Sequence, residues 1–353
     1  MKTSLINSIQ CPKCESMLTV DEAATKPVYR ESNNELHEGI LVCTSCAKQY
    51  PVICGIAILL ANPNSWLRSN YSYIVEGAFN SGGISEPLRK YLDQHGWRMS
   101  ASPANNYYEL PRWVDIFLAT HYDPVPAGSD DNSELGALLA KQPSVFEYVA
   151  NTLKRLQPEG IKRALDVGAN VGGMTWRLAS QAESVLAIDT AFNPLLAARK
   201  LQLGLPSAKT TVRRYIDGLR HEEITVGPFN TNVEFLVASL FELPVAGKFD
   251  VITALNVIDV VPDPEAFLDV LIDRLEPGGL LILTSPYSWG SDDVPIDNWI
   301  GDADTPSNEA VNRLLIDKKL SIQDETDFVP WILREHSRWY RVFHNHCVIA
   351  RKG

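Results

Sequence analysis

The chain has 353 residues, 45% of them hydrophobic, which is enough to bury a large core and to hold two or three units. Its formal net charge of −11 argues against a long nucleic-acid footprint and leaves room only for a local basic patch. No apolar run is long enough to cross a bilayer, and the opening MKTSLINSIQCPKC lacks the apolar stretch of a secretory signal, so no membrane partner and a cytoplasmic setting are expected.

The first element is a cysteine pattern. CPKC (Cys11, Cys14) and CTSC (Cys43, Cys46) are two C-x-x-C knuckles separated by 28 residues, spacing that suits two turns converging on one tetrahedral zinc ion rather than free or redox-active thiols. Four thiolates close the coordination sphere, so such a zinc is structural. Cys54 and Cys347 have no partner at ligand spacing and read as buried apolar side chains. The following AKQYPVICGIAILL resembles the end of a Trm112-type zinc-ribbon domain, with Y-P-V and G-I-x-x-L-L after the last cysteine pair. The resemblance implies a small domain over residues 1–62 of a type that partners or activates methyltransferases. The spacing between knuckles is longer than that family commonly shows, and RESNNELHEG reads as an exposed hairpin or loop insertion.

Residues 63–158 change character. PLRKYLDQHGW, YELPRWVDIFLATHY and SVFEYVANTLKRL carry apolar residues at helical spacing, and PVPAGSDDNSE (124–134) is the clearest loop. A helical linker is expected here, with Tyr71, Tyr73, Trp113 and Phe117 as candidate core or substrate-facing aromatics.

From residue 159 to 353 the pattern is strand, turn and helix in alternation. ALDVGANVGGMTWRLASQAESVLAIDT reads as a strand, a glycine turn, a helix and a second strand ending in Asp189, an acid placed to accept hydrogen bonds from a ribose diol. The turn has D-x-G-x-N-x-G-G spacing, which does not favour NAD or FAD. Gly168 and Gly172 let the backbone turn sharply, and Asn170 tolerates the left-handed conformation better than most residues. FDVITALNVIDVV reads as a buried strand and LEPGGLLILTSPYSW as a helix end, a Gly-Gly turn and another buried strand. Asp263-Pro264 caps the helix between them, with Phe267, Leu271 and Leu275 on one face.

These motifs, in this order, resemble the class I S-adenosylmethionine (SAM)-dependent methyltransferases, with Asn170 in place of the usual middle glycine. The resemblance implies an α/β fold with a Rossmann-like sheet, a helical cover and a small N-terminal zinc ribbon. It implies SAM as cofactor. Asp166 would hold the methionine amino end directly or through water, Gly168, Asn170 and Gly172 would shape the loop, and Asp189 would bind the ribose. Ser239 and Leu240 would bracket adenine, and Asn256 would face the methionine moiety or the methyl-transfer channel.

Three further segments resemble the mercaptohistidine N-methyltransferases, which methylate an imidazole nitrogen of 5-thiohistidine in ovothiol synthesis. They are YYEL (107–110) with ATHYD (119–123), SPYSW (285–289) with NWIG (298–301), and ILRE (332–335). Leu110, Thr120 and Asp123 depart from the family's Thr, Phe and Gly. A small zwitterionic substrate asks for a cation near its carboxylate and an acceptor near its ammonium, which gives Arg334 the first role and Glu109 or Glu335 the second. Tyr108, His121 and Tyr287 are the candidate orienters or proton acceptors for the ring. Each has a plainer reading: Arg334 pairs with a neighbouring carboxylate in a C-terminal hairpin, and His121 is a core histidine. Methylation of another small metabolite, or of RNA or protein with the zinc segment for docking, stays open. Residues 1–60 carry five Lys or Arg against six Asp or Glu, which does not favour an RNA groove.

Overall fold

The computed structural model describes residues 1–30, 34–79, 83–94, 107–122, 144–203, 210–227, 229, 231–290 and 293–353. The loop expected at residues 124–134, Asp123 and the start of the 105–122 segment lie outside them. In chain order the first elements are α1 (Thr3–Ile6), β1 (Leu18–Val20), β2 (Val28–Tyr29), β3 (Leu36–Cys43), β4 (Gln49–Ile53) and β5 (Ile56–Leu59). Then come α2 (Pro63–Phe79), α3 (Glu86–Gln94), a 3-10 turn (Tyr107–Glu109), α4 (Pro111–Tyr122) and α5 (Val145–Leu156). The sheet-and-helix part follows with β6 (Ile161–Val167), α6 (Gly173–Ala179), β7 (Ala182–Asp189), α7 (Phe192–Leu203), β8 (Thr210–Asp217), β9 (Arg220–Val226) and β10 (Val233–Ala238). It ends with β11 (Phe249–Leu255), α8 (Pro264–Asp273), β12 (Leu275–Ser285), α9 (Ser307–Asp317), β13 (Leu320–His336) and β14 (Trp339–Lys352). This is the α/β, Rossmann-like architecture expected. The chain divides into two compact units, the first made of residues 1–114, 188–203 and 234–247, the second of 115–187, 204–233 and 248–353.

In the first unit the strand order is β1-β3-β4-β5-β10. The β3–β4 and β4–β5 pairs are antiparallel, whereas β5 pairs in parallel with β10 through Ala57↔Leu236, Ile58↔Val237 and Leu59↔Ala238. Both strands are buried along their whole length, which is why IAIL reads as an unbroken apolar run and VEFLVA as one interrupted only by Glu234, whose carboxylate pairs with Lys2. Around them the chain next to the first knuckle and the chain after β5 are tied to the segment that follows β10: Gln10 N–H donates to the Pro244 carbonyl, and Ala61 N–H to Glu242 Oε2. Arg199, on α7, is 2% exposed and pairs with Glu35 at 3.0 Å.

In the second unit the order is β7-β6-β11-β12-β14-β13, with β6, β11 and β12 mutually parallel and β14 and β13 added antiparallel. β8 and β9 form a separate hairpin. Helix α5 begins at Ser144, whose hydroxyl accepts from Glu147 N–H, and α8 at Asp263, whose carboxylate accepts from Ala266 N–H.

Two local expectations are corrected. LEPGG is the bulged start of β12 and not a helix end: α8 stops at Asp273, Leu275 pairs with Phe249, and regular pairing resumes at Val251↔Leu280. Gly278 takes φ +77 inside that bulge. Leu275 therefore belongs to the sheet, leaving Phe267 and Leu271 on the buried face of α8. For the RESNNELHEG segment the hairpin reading holds, since β2 and β3 pair antiparallel across it, but its LHEG end is a buried strand start rather than exposed: Leu36 and Glu38 are both buried in β3.

Removing one partner of a buried ion pair leaves the other charge uncompensated. Glu35→Ala is therefore expected to destabilise the protein by about 3 kcal/mol, read from urea midpoints at constant slope.

Candidate functional site

The glycine turn is built by β6 and the start of α6. Gly168 and Gly172 take φ of +70 and +82, and Asn170 takes +48 with its side-chain oxygen accepting from Val171 N–H at 2.8 Å. A Cβ at Gly168 would lie 2.5 Å from Val257 Cγ2, so the close approach requires glycine there. Asp166 is 2% exposed, and its two oxygens accept from the hydroxyls of Thr175 at 2.6 Å and Thr253 at 2.8 Å. The carboxylate thus ties β6 to α6 and to β11 and fixes the loop from beneath.

The end of α4 lies on this loop. Tyr122 Oη donates to the Val171 carbonyl at 2.7 Å, and the His121 ring lies where a Cβ on Gly173 would be, 2.5 Å from Nδ1. His121 is packed against Phe146 at 4.6 Å between ring centres, and its Nδ1 is buried with no hydrogen-bond partner among the described residues. Burial, reinforced by the Arg177 charge, lowers its pKa to about 3, so the ring is neutral. It is a buried histidine, as the plainer reading has it, but not a satisfied one.

At the carboxyl ends of β11 and β12 the backbone turns left-handed twice more, at Asn256 (φ +57) and Tyr287 (φ +53). Asn256 Oδ1 accepts from Thr284 Oγ1 at 3.0 Å and from Asn345 Nδ2 at 2.8 Å, and Asn345 is fully buried. Tyr287 N–H donates to Ser285 Oγ, and the carboxylate of Asp259 accepts from Ser288 N–H. Burial raises the Asp259 pKa against that bond. Tyr287 stacks on Trp289 at 5.9 Å, and Trp289 on Trp299 at 6.4 Å, so the SPYSW and NWIG segments form one aromatic ladder. Tyr287 Oη lies 2.9 Å from His346 Nδ1. His346, Asn345 and Asp259 were not among the residues expected from sequence. The available signal was an Asn-His pair interrupting the apolar run that ends the chain.

Arg334 and Glu335 lie in the outer half of the β13–β14 hairpin. Val329 pairs with Asn345, and Arg334 is five positions, roughly 17 Å of extended strand, further along. Arg334 stands over the Tyr340 ring at 6.0 Å, its Nε buried with no hydrogen-bond partner among the described residues. Glu335 is not available to an ammonium group: it is 8% exposed and accepts from Arg341 Nε at 2.6 Å.

The other expected residues belong to the first unit. Glu109 is fully buried, its two oxygens taken by the N–H groups of Phe192 (2.7 Å) and Asn193 (2.8 Å). It caps α7 instead of facing a substrate, and burial raises its pKa to about 7 despite those two bonds. Tyr108 stacks on Tyr107 at 4.1 Å. Asp189 Oδ1 accepts from Ala191 N–H, next to Thr190, whose carbonyl takes the Trp66 indole N–H. Ser239 caps the 3-10 turn Leu240–Glu242 through Phe241 N–H, and Leu240 is buried.

The sulfurs of Cys11, Cys14, Cys43 and Cys46 lie within 4.8 Å of one another. The Cys14–Cys43 and Cys11–Cys46 separations are 3.4 and 3.7 Å, close to the ~3.8 Å edge of a tetrahedron with Zn–S bonds of ~2.3 Å. Cys46 N–H points to Cys43 Sγ, and Tyr50 Oη lies 3.0 Å from Cys11 Sγ, both suited to thiolate charge. The donor set fits zinc. Cys54 and Cys347 are buried thiols outside the cluster, with pKa values raised by burial to about 11 and about 12.

A positive-φ glycine loop between β6 and α6, with two more left-handed turns at the carboxyl ends of neighbouring parallel strands, is the arrangement in which open α/β sheets hold a nucleotide-bearing ligand. The family model of the methyltransferase domain matches residues 141–329, more than half of the chain, and the chain belongs to that family. The domain is that of a methyltransferase. Among curated proteins it is similar to ubiquinone biosynthesis O-methyltransferase of Pasteurella multocida, 32% identical over 35% of this chain and 46% of that protein. The corresponding protein of Xanthomonas axonopodis pv. citri is 31% identical over 42% and 51%. The chain spans about half the length of the curated relatives it matches. Among solved structures, N-methyltransferase NodS from Bradyrhizobium japonicum in complex with S-adenosylhomocysteine is 14% identical with a TM-score of 0.38, covering 66% of this chain and 98% of that one. A SAM-dependent methyltransferase from Methanosarcina mazei gives 17% and 0.41, covering 60% and 99%.

A histidine whose folded pKa is depressed contributes stability above its unfolded pKa and loses it as pH falls towards the folded value. For His121 that window runs from 6.5 down to about 3. His121→Gln is expected to flatten the acid-side loss of stability, measured by urea midpoints across that range. Elemental analysis of the purified protein is expected to find one zinc per chain, lost in a Cys43→Ala, Cys46→Ala double variant.

Proposed function

We propose that this protein transfers a methyl group from SAM to a ring nitrogen of a small, planar, histidine-derived metabolite such as 5-thiohistidine. The observation that carries the reading is the aromatic ladder Tyr287–Trp289–Trp299 beside Asn256 at the carboxyl end of β12, a wall suited to a flat ring. When bound, SAM supplies an activated methyl on a sulfonium, so the protein's own work is to align the nucleophile, exclude water and accept a proton.

In this reading Gly168, Asn170 and Gly172 form the backbone cradle for the donor, with Asp166 acting through the hydroxyls of Thr175 and Thr253 that hold the cradle in shape. Asp189 takes the ribose hydroxyls, Ser239 and Leu240 flank adenine, and Asn256 stands by the methyl-transfer channel, with the neutral His121 ring close to the glycine loop. Arg334 keeps a role only for a carboxylate arriving at the outer hairpin. The thiolate cluster holds a structural zinc in a Trm112-like ribbon, consistent with a reducing cytoplasm. The net charge of −11 favours a metabolite over nucleic acid.

A second reading, methylation of a phenolic oxygen, is favoured by the name that the curated relatives share. A flat phenol would meet the same aromatic wall.

The deciding experiment is a mass-spectrometric turnover assay with SAM against 5-thiohistidine, histidine, 3,4-dihydroxybenzoate and total RNA. A product heavier by one methylene from 5-thiohistidine is expected. A methylated catechol alone would move the assignment to oxygen, and methylated RNA alone would overturn the small-molecule reading.

A further inference from the structure

Tyr287, His346 and Glu325 form a hydrogen-bonded chain that runs from the carboxyl end of β12 to the protein surface. Tyr287 Oη is 2.9 Å from His346 Nδ1, and His346 Nε2 is 3.3 Å from Glu325 Oε1. The imidazole is 2% exposed, whereas the Glu325 side chain is 44% exposed. Asn312 Nδ2 donates to the same Glu325 oxygen at 2.6 Å and holds it in place.

The chain has a direction. An ionised carboxylate only accepts, so Nε2 carries the imidazole proton, Nδ1 is left as an acceptor, and the tyrosine hydroxyl donates to it. We infer that Tyr287 is a catalytic residue that takes the proton of the substrate's N–H or O–H while passing its own proton to His346, with His346 and Glu325 as positioning residues behind it.

Two structural features set this chain apart from ordinary packing. Tyr287 is held at φ +53, a conformation that bulky side chains adopt only when their surroundings impose it. Ser285 Oγ imposes it by accepting from Tyr287 N–H at 2.8 Å. The residue also stands two positions beyond β12, at the end of the parallel sheet where Asn256 follows the neighbouring strand β11 and Gly168 follows β6, the next strand beyond it. A tyrosine needing only a hydrogen-bond partner would be served by a carbonyl; a buried imidazole backed by a carboxylate adds the capacity to hold a proton.

Burial, followed by Asp259, Asp327, Cys347 and Glu325, raises the Tyr287 pKa. The hydroxyl therefore rests protonated and serves as a conduit, not as a standing base. In the step itself, the nucleophile's lone pair forms the bond to the methyl carbon as the carbon–sulfur bond breaks and its pair stays on sulfur. The nucleophile's proton moves to Tyr287 Oη, the tyrosine proton moves to Nδ1, and the imidazolium is paired with Glu325. Once product has left, the Nδ1 proton returns to the tyrosine oxygen as that oxygen releases one proton to water.

The inference rests on the small-molecule methyl-transfer reading, and its test has an arm that does not. With 5-thiohistidine or 3,4-dihydroxybenzoate as probe, Tyr287→Phe and His346→Gln are expected to lower kcat at neutral pH by roughly 10²- to 10³-fold. S-adenosylhomocysteine affinity is expected to be unchanged, and the loss to shrink as rising pH ionises the probe in solution. Wild-type kcat in His346→Gln at every pH would overturn the relay. Independently of turnover, 15N NMR of histidine-labelled protein, with His346→Gln to assign the resonance, reads the tautomer. A proton on Nε2 supports the relay, and a proton on Nδ1, which makes the tyrosine an acceptor, sinks it. If neither probe turns over, the substrate reading fails while the tautomer still decides the relay.

Discussion

The second unit is organised by a backbone constraint at the carboxyl ends of three adjacent parallel strands. Gly168 after β6, Asn256 after β11 and Tyr287 after β12 all take positive φ. For the two residues with a Cβ this costs on the order of 1–2 kcal/mol each, so the surroundings have to over-determine the conformation. They do so with side chains drawn from other strands. Asn256 is gripped by Thr284 of β12 and Asn345 of β14, while Ser285 and the Asp259–Ser288 bond fix the turn at Tyr287. Asp166 performs the same service beneath the glycine loop. The polar groups buried here hold strained turns in place, and the strained turns present the chemistry.

This division of labour explains which parts of the fold could be read from residues alone. Strands buried on both faces announce themselves as unbroken apolar runs, and glycines with an Asn among them mark a turn that needs left-handed backbone. LEPGG misled for a definite reason. A helix followed by Gly-Gly is also how helices stop, and the pairing of Leu275 with Phe249, across 26 residues, carries no local signature. The same limit hid the start of β3, where a polar-looking LHEG is buried by a partner strand.

The candidate site was legible where function is written into backbone and obscure where it depends on partnership. Residue types pointed to Glu109 and Glu335 as acceptors for an ammonium group. Each is satisfied within the protein, one by the amino end of a helix that begins 83 residues later, the other by an arginine across a hairpin whose register shifts near the tip. His346, in the stretch HNHCVIA, belongs to no motif of its own. Only the antiparallel addition of β14 to β12, with His346 opposite Ser285, sets it beside the strand end that carries Tyr287. In both cases the missing information was strand register, which side-chain chemistry does not encode.

The parallel pairing of β5 with β10 bears on the origin and handling of the cysteine-bearing segment. A module held to its neighbour by surface contacts can be clipped off or exchanged with little penalty. This segment is instead continuous, through backbone hydrogen bonds, with the strand that precedes Ser239 and Leu240. Cutting the gene after Leu60 would strip β10 of a paired neighbour and bare a largely apolar edge, VEFLVA, whose one charge, Glu234, would lose its Lys2 partner as well. The natural unit of expression, and of evolutionary inheritance, is thus the fused whole, with aggregation as the barrier to its separation.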